Sequence, residues 1–197
     1  MQTPSKYYEI AYHYANYTNC SLFLTGKAGT GKTTFLKKLK EETKKEMAIV
    51  APTGVAAINA GGVTIHSFFQ LPFSPFIPTD EGRKNLIGKI KMNNVRRKVL
   101  DRLEALVIDE ISMVRADLLD EIDTILRHFR FRRNELFGGV QMIFIGDMYQ
   151  LSPVCSDSEW QILADYYPSM YFFDSLAIRN QPPVYIEFDN IFRQSNL

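Results

Sequence analysis

Gly26 and Gly31, with four residues between them, are followed at once by Lys32 and Thr33. Two glycines, a lysine and a hydroxyl at this spacing can wrap a chain of phosphates. The glycines let the backbone bend without Cβ clashes, so that several N–H groups converge on one anion. A helix starting there adds its positive end. Lys32 would reach the β- and γ-phosphates, and the Thr33 hydroxyl would hold Mg²⁺. Ala28, Gly29, Thr30 and Thr34 complete the cradle. A second constellation is Asp109-Glu110, which closes the apolar run at 103–108. Beside such a loop an Asp holds Mg²⁺ through its water shell, and a following Glu can polarise an attacking water. Binding a triphosphate needs only the loop, whereas hydrolysing it needs both acids. A third is Asp147 with Gln150, again behind an apolar run. Gln150 there either senses the γ-phosphate and moves the loop behind it, or belongs to a plain turn.

The elements that must position these groups follow from periodicity. Residues 21–25, 47–51, 103–108, 141–145 and 184–188 read as buried strands, and residues 33–45, 117–132 and 158–166 as helices. Strand, helix, strand in alternation favours a parallel sheet with right-handed crossovers. Such sheets place ligands at the carboxyl ends of their strands, where all three constellations fall. Ser5 can cap an opening helix that runs to about residue 17 and carries a stripe of Tyr7, Tyr8, Ile10, Ala11, Tyr14 and Tyr17. That stripe either packs on the sheet or lends an aromatic to a nucleotide base.

The bulk properties narrow the class. At 197 residues the chain is one domain with room for a sizeable core. Hydrophobic residues make up 46% and charged residues 23%, as in soluble globular proteins. A net charge of +1 means that any site for a polyanion is local. Cys20 and Cys155 are too few for a disulfide framework or a zinc site and fit a reducing compartment. No apolar run reaches membrane-spanning length, and the first residues do not form a signal peptide. A location in the cytoplasm, or in the nucleus or mitochondrion of a eukaryote, is expected rather than secretion.

Residues 51–69 follow the second strand and offer small residues, hydroxyls, His66 and two aromatics. This mix suits close approach of a phosphate backbone and stacking of bases. His66 alone is as well explained by a structural hydrogen bond. Residues 70–80 are rich in Pro and Phe and exclude a regular helix or central strand. Phe73 and its neighbours form either a contact surface or a loop folded back on the core. From 82 to about 104 the chain reads as one or two helices carrying eight Lys and Arg residues, which either follow a nucleic-acid backbone or form a solvated face. The arginines ending the helix at 117–132 are favourable there in themselves.

Together the segments GKAGTGKTT at 26–34, APTGVAAINAGGVTIHSFF at 51–69, VIDEISMV at 107–114 and IGDMYQLSPV at 145–154 resemble the Pif-type (petite integration frequency) DNA helicases. These are relatives of RecD within helicase superfamily 1. IFRQ at 191–194 agrees with the same family. The resemblance implies an α/β fold, the first RecA-like phosphate-loop NTPase domain, with a mostly parallel sheet flanked by helices. Residues 1–69 and 105–197 would form this motor domain and residues 70–104 a small inserted wedge that parts the duplex. The family's ATPase roles fall on Lys32, Thr33, Asp109, Glu110, Gln150 and Arg193, with Thr33 and Asp109 at the metal. Its DNA contacts fall on Pro52, Thr53, Thr64, His66, Phe69 and the loop of Gln150, Leu151 and Pro153, to which the exposed-aromatic argument adds Phe73.

The implied activity is ATP- and Mg²⁺-dependent movement in the 5′→3′ direction on single-stranded DNA, with forked or structured DNA as substrate and a monomer as the working form. Arg193 is otherwise a surface arginine. The family's upstream glutamine that reads adenine has no counterpart beyond Gln2. The chain stops just past the arginine motif, so a second RecA-like domain is expected to be missing from it. Alone, the chain would then act as a nucleotide and single-strand binding module with negligible turnover. A nucleotide kinase is disfavoured by the Asp109-Glu110 pair and by the lack of an acceptor lid.

Overall fold

The structure is a computed structural model and describes residues 6–189. Helix α1 (Lys6–Tyr17) leads into β1 (Leu22–Thr25), α2 (Lys32–Glu42) and β2 (Met47–Ala51). Then come α3 (Gly54–Ala60), the two-residue β3 (Val63–Thr64) and α4 (Ile65–Phe69). Helices α5 (Asp80–Lys89) and α6 (Asn94–Arg102) precede β4 (Ala105–Ile108). The order closes with α7 (Ala116–Phe129), β5 (Gln141–Ile145), α8 (Asp157–Leu163), α9 (Leu176–Asn180) and β6 (Val184–Glu187). The sheet order is β3-β2-β4-β5-β1-β6, and every pairing is parallel. The expected α/β class with a parallel sheet is what the chain forms.

The strands are apolar on both faces because both are covered, as parallel sheets require. On one face Val50, Leu106, Ile108, Met142 and Phe144 pack with side chains of α4, α5, α6, α7 and α9. On the other, Leu22, Leu24, Val107, Ile143 and Ile145 pack with α1 and α2 through Tyr8, Ala11, Phe35 and Leu39. Tyr8 meets Phe35 edge-on at 5.4 Å and stacks on Phe188 at 5.8 Å. Its ring is therefore a packing group, whereas Tyr7 is exposed. Among the described residues no helix is long and apolar enough to cross a membrane.

Helix ends differ from the periodic reading for local reasons. Helix α2 stops at Glu42, where Thr43 turns extended and its N–H caps Leu39 O. Lys45 leaves the helix to donate to Ala15 O, Thr18 O and Gln141 Oε1. Three charge-assisted bonds outweigh three more helical residues. Helix α7 stops at Phe129 because Phe131 adopts a left-handed φ of 58°.

Residues 70–104 resolve into an irregular loop and two helices. Thr79 and Asn93 cap α5 and α6 by accepting the N–H groups of Gly82 and Arg96. Leu71, Phe76, Leu86, Ile90, Met92, Leu100 and Leu103 join the same apolar cluster as β2, β4 and β5. In space the segment is a layer of the common core.

Candidate active site and nucleic-acid interface

β1 runs straight into the glycine loop, and the loop into α2. Gly26, Gly29 and Gly31 hold φ of 143°, 81° and 95°, all left-handed or beyond. A Cβ on Gly26 would lie 2.6 Å from Phe188 O and 2.7 Å from Thr30 Oγ1, so only glycine fits. Buried Thr30 donates its hydroxyl to Lys27 O at 2.8 Å and so fixes the loop's curvature. Lys32 Nζ donates to Gly26 O and, at 3.1 Å, to Lys27 O. The ammonium thus lies folded over the loop. Burial lowers its pKa, against the opposing pull of Asp147, Glu110 and Asp109.

A cleft of about 570 Å³ opens beside the loop. It is lined by Ala28, Gly29, Thr30, Gly31, Lys32, Thr33, Thr34, Asp109, Glu110, Gly146 and Gln150. The three constellations, more than a hundred residues apart in sequence, therefore share one cavity. β4 delivers Asp109, whose N–H is fixed by Val50 O at 2.9 Å. Burial first, and the charge of Glu110 second, push its carboxyl up to about 6. Glu110 sits at a left-handed φ of 53°, a conformation that persists at functional positions when neighbours enforce it. Thr33 and Asp109 line the same cleft, and among the described residues no three His, Cys, Asp or Glu side chains form a metal cage. That sparse donor set fits a Mg²⁺ brought by phosphates rather than one held by protein alone.

β5 delivers Asp147, which is buried. It accepts Gln150 Nε2 at 3.1 Å and the Tyr149 N–H at 3.0 Å. Beyond it Tyr149, Leu151 and Val154 are exposed, Tyr149 at 96%. Pro153 is buried, which corrects its expected DNA contact, and Tyr149, Leu151 and Val154 are the accessible apolar groups of that loop.

At the ends of β2 and β3, Thr53 and Thr64 cap α3 and α4 by accepting the N–H groups of Ala56 and Ser67. Pro52, Thr53, Thr64 and His66 are each half-buried at this rim. Phe73 is 93% exposed and stacks on the His66 ring at 4.8 Å with planes 10° apart. Phe69 is a second correction: it is fully buried in the core, so its ring cannot stack on a base. The Pro/Phe loop divides between the two readings, since Phe76 is buried with its N–H on Asp117 Oδ2 at 3.1 Å. Arg193 lies outside the described residues, as do Gln2 and Ser5.

One group absent from the sequence reading braces this rim. Arg115 pairs with Asp117 at 2.8 Å and with Glu159 at 3.0 Å, which joins the Pro/Phe loop, α7 and α8. Burial lowers the pKa of His66, and the charge of Arg115 lowers it further. No local spacing marks Arg115, because Glu159 lies 44 residues away.

A parallel sheet with a phosphate loop after β1, and acids after β4 and β5 in the same cleft, defines a RecA-like phosphate-loop NTPase domain. The chain belongs to the PIF1-like helicase family, whose sequence model matches residues 5–169. It is 35% identical over 179 residues to the ATP-dependent DNA helicase PIF1 of Saccharomyces cerevisiae, covering 88% of this chain and 19% of that protein. It superposes on the Bacteroides Pif1 helicase in complex with ADP-AlF3 and single-stranded DNA with a TM-score of 0.89 and 42% identity. That match covers 100% of this chain and 44% of the other. A structure of two coordinating Pif1 helicases at forked duplex DNA matches with a TM-score of 0.88 and 41% identity, over 99% of this chain and 46% of that one. The chain thus spans less than half the length of these relatives.

Proposed function

We propose that this chain is the ATP-driven motor domain of a DNA helicase that moves 5′→3′ on single-stranded DNA and acts at forked or structured duplexes. Residues 1–69 and 105–197 serve as the motor, and residues 70–104 as the wedge that parts the strands. The observation that carries the reading is the shared cleft. Lys32, Glu110 and Gln150 line one cavity, and Gln150 continues into a loop on which Tyr149, Leu151 and Val154 face solvent.

On arrival of ATP, Lys32 exchanges its bonds to Gly26 O and Lys27 O for the β- and γ-phosphate oxygens. Thr33 and Asp109 would hold Mg²⁺, which supplies neutralisation of phosphate charge. Glu110 orients the attacking water and takes its proton. Gln150 follows the γ-phosphate and carries the loop of Tyr149 and Leu151 with it. Thr53, Thr64, His66 and Phe73 support the strand at the rim, with hydroxyls for phosphates and a ring for a base. Arg193 serves as the cation for the γ-phosphate in a cleft completed by a second motor domain, and the working form is a monomer.

The test is the ATPase rate of this chain and of a chain extended through a second motor domain, each with and without single-stranded DNA. Strong stimulation in the extended chain, abolished by Lys32→Ala, is expected. An extended chain that turns over equally with and without DNA would sink the motor reading.

A further inference from the structure

The end of α7 is unfavourable twice over. After Phe129, Arg130 closes the helix and Phe131 follows at φ 58°, the left-handed position that glycine holds freely and a side chain holds under strain. The Phe131 ring is also 87% exposed. A strained backbone and an apolar ring in water together mark a residue kept for something other than folding.

The cations of this corner fall into two sets. Arg130 is structural: its guanidinium donates to Leu100 O, Asp101 O, Leu103 O and Gly138 O. Arg127 is bound to Asp123 at 2.8 Å. Lys84 and Arg133 have no side-chain hydrogen bond or ion pair among the described residues, and both line a groove of about 900 Å³ between α5, α7 and α9. Two of the three acids that line that groove are held by hydrogen bonds. Asp123 takes Arg127 and the Phe137 N–H, and Asp120 takes the Tyr167 hydroxyl with the N–H groups of Leu176 and Ala177. Asp80 lies 3.5 Å from Arg83. What faces solvent at the groove is Lys84 and Arg133, with Asp80 exposed beside Arg83, and Phe131 precedes Arg133 by two residues.

We propose that this groove binds the phosphate backbone of single-stranded DNA, with Phe131 stacking on a base at its end. A cationic track with an aromatic platform is the general solution for an unpaired strand, since a ring can be offered only to a base that is out of its duplex. The groove is not the rim of His66 and Phe73. α7 begins beside Arg115 at that rim and runs for 14 residues, about 20 Å, before the chain reaches Phe131. Two strands leave a parted duplex, and the second site takes the one that the motor does not follow. The inference rests on the domain acting on DNA, but its residues are different ones.

The test titrates a fluorescein-labelled oligothymidylate with this chain across a salt series, by anisotropy. Three variants are compared: Lys84→Glu with Arg133→Glu, Phe131→Gly, and His66→Ala with Phe73→Ala. Loss of two phosphate contacts is expected to lower the salt slope by about 1.4 in the charge-reversed variant. Phe131→Gly is expected to bind about tenfold more weakly, the loss of one stacked base, while its Tm stays level or rises because glycine relieves the left-handed strain. Photo-crosslinks from the bound strand are expected on residues 127–135. The proposal is overturned if both groove variants bind like the parent chain, or if Phe131→Gly lowers Tm, which would make the ring a packing group. It is equally overturned if a longer chain shields Lys84 from acylation without DNA, since protein then fills the groove. Unchanged binding by the His66, Phe73 double variant would instead sink the rim assigned under Proposed function.

Discussion

Asp147 Oδ2 accepts the side-chain amide of Gln150 at 3.1 Å, while its Oδ1 accepts the backbone N–H of Tyr149 at 3.0 Å. One buried carboxylate therefore holds both a residue of the nucleotide cleft and the base of an exposed loop. If Gln150 turns toward a γ-phosphate it must leave Asp147, and the loop loses one of its two anchors. Asp147→Asn removes the charge and one acceptor while keeping the shape. A hydrogen bond to a charged group is worth about 1.5–3 kcal/mol, so coupling should weaken by at least roughly tenfold. The expected result is a loss of DNA stimulation of ATPase with nucleotide affinity unchanged, read from rates with and without DNA and from binding of a fluorescent ATP analogue. Equal loss of both would assign Asp147 to nucleotide binding alone.

Glu110 and Asp109 are adjacent but differ in setting. The Asp109 N–H is fixed by Val50 O and burial pushes its carboxyl up, while Glu110 is turned by its left-handed backbone. Glu110→Gln keeps size and hydrogen bonding but cannot take a proton. Its hydrolysis rate in an extended chain should fall by about 10²–10⁴, the usual contribution of a general base, with ATP still bound. Normal turnover in that variant would remove Glu110 from the role of base.

Phe69 and Phe73 lie four residues apart and separate packing from contact. Phe69→Ala empties a fully buried site and should cost about 3–5 kcal/mol of stability, seen as a large drop in denaturation midpoint. Phe73→Ala removes a ring that is 93% exposed, and should change stability by no more than about 0.5 kcal/mol. Its effect should appear in single-strand affinity, with a loss of about 1–3 kcal/mol. The opposite pattern would invert the assignment of this face.

The parts of the site that were legible in sequence are those fixed by local geometry. Gly26 to Thr33 is a backbone device of eight residues, and Asp109 and Gln150 each close an apolar run, so spacing alone locates them. Long-range choices were not legible. Whether Phe68 or Phe69 faces the core depends on how α4 sits on β2, and the burial of Pro153 is likewise not encoded in local spacing. The Arg115 pairs join residues brought together only by α7 and α8. The parallel sheet followed from alternating periodicity, whereas the end of α7 did not. Propensity favours glycine where Phe131 sits, and the arginines around it look alike until the structure shows that Arg130 is spent on carbonyls and Arg133 is not.

Glu121 makes the fold sensitive to pH. It is buried in α7 at 3% exposure. Burial first, and the charge of Asp117 second, push its carboxyl from an ordinary 4.5 up to about 8, only partly offset by Arg115. In the unfolded chain Glu121 ionises near its ordinary value, while in the folded chain it keeps its proton to higher pH. Between those values the folded state holds more protons, so stability falls as pH rises through the window from about 4.5 to about 8 and levels off above it. Glu121→Gln keeps the shape and removes the titration. The variant should match the parent near pH 4.5 and exceed it increasingly toward pH 8, by an amount on the order of a few kcal/mol. Denaturant melts of both chains at several pH values give the difference directly. A constant difference across that range would mean that Glu121 is ionised in the folded state and held by Arg115 at no cost.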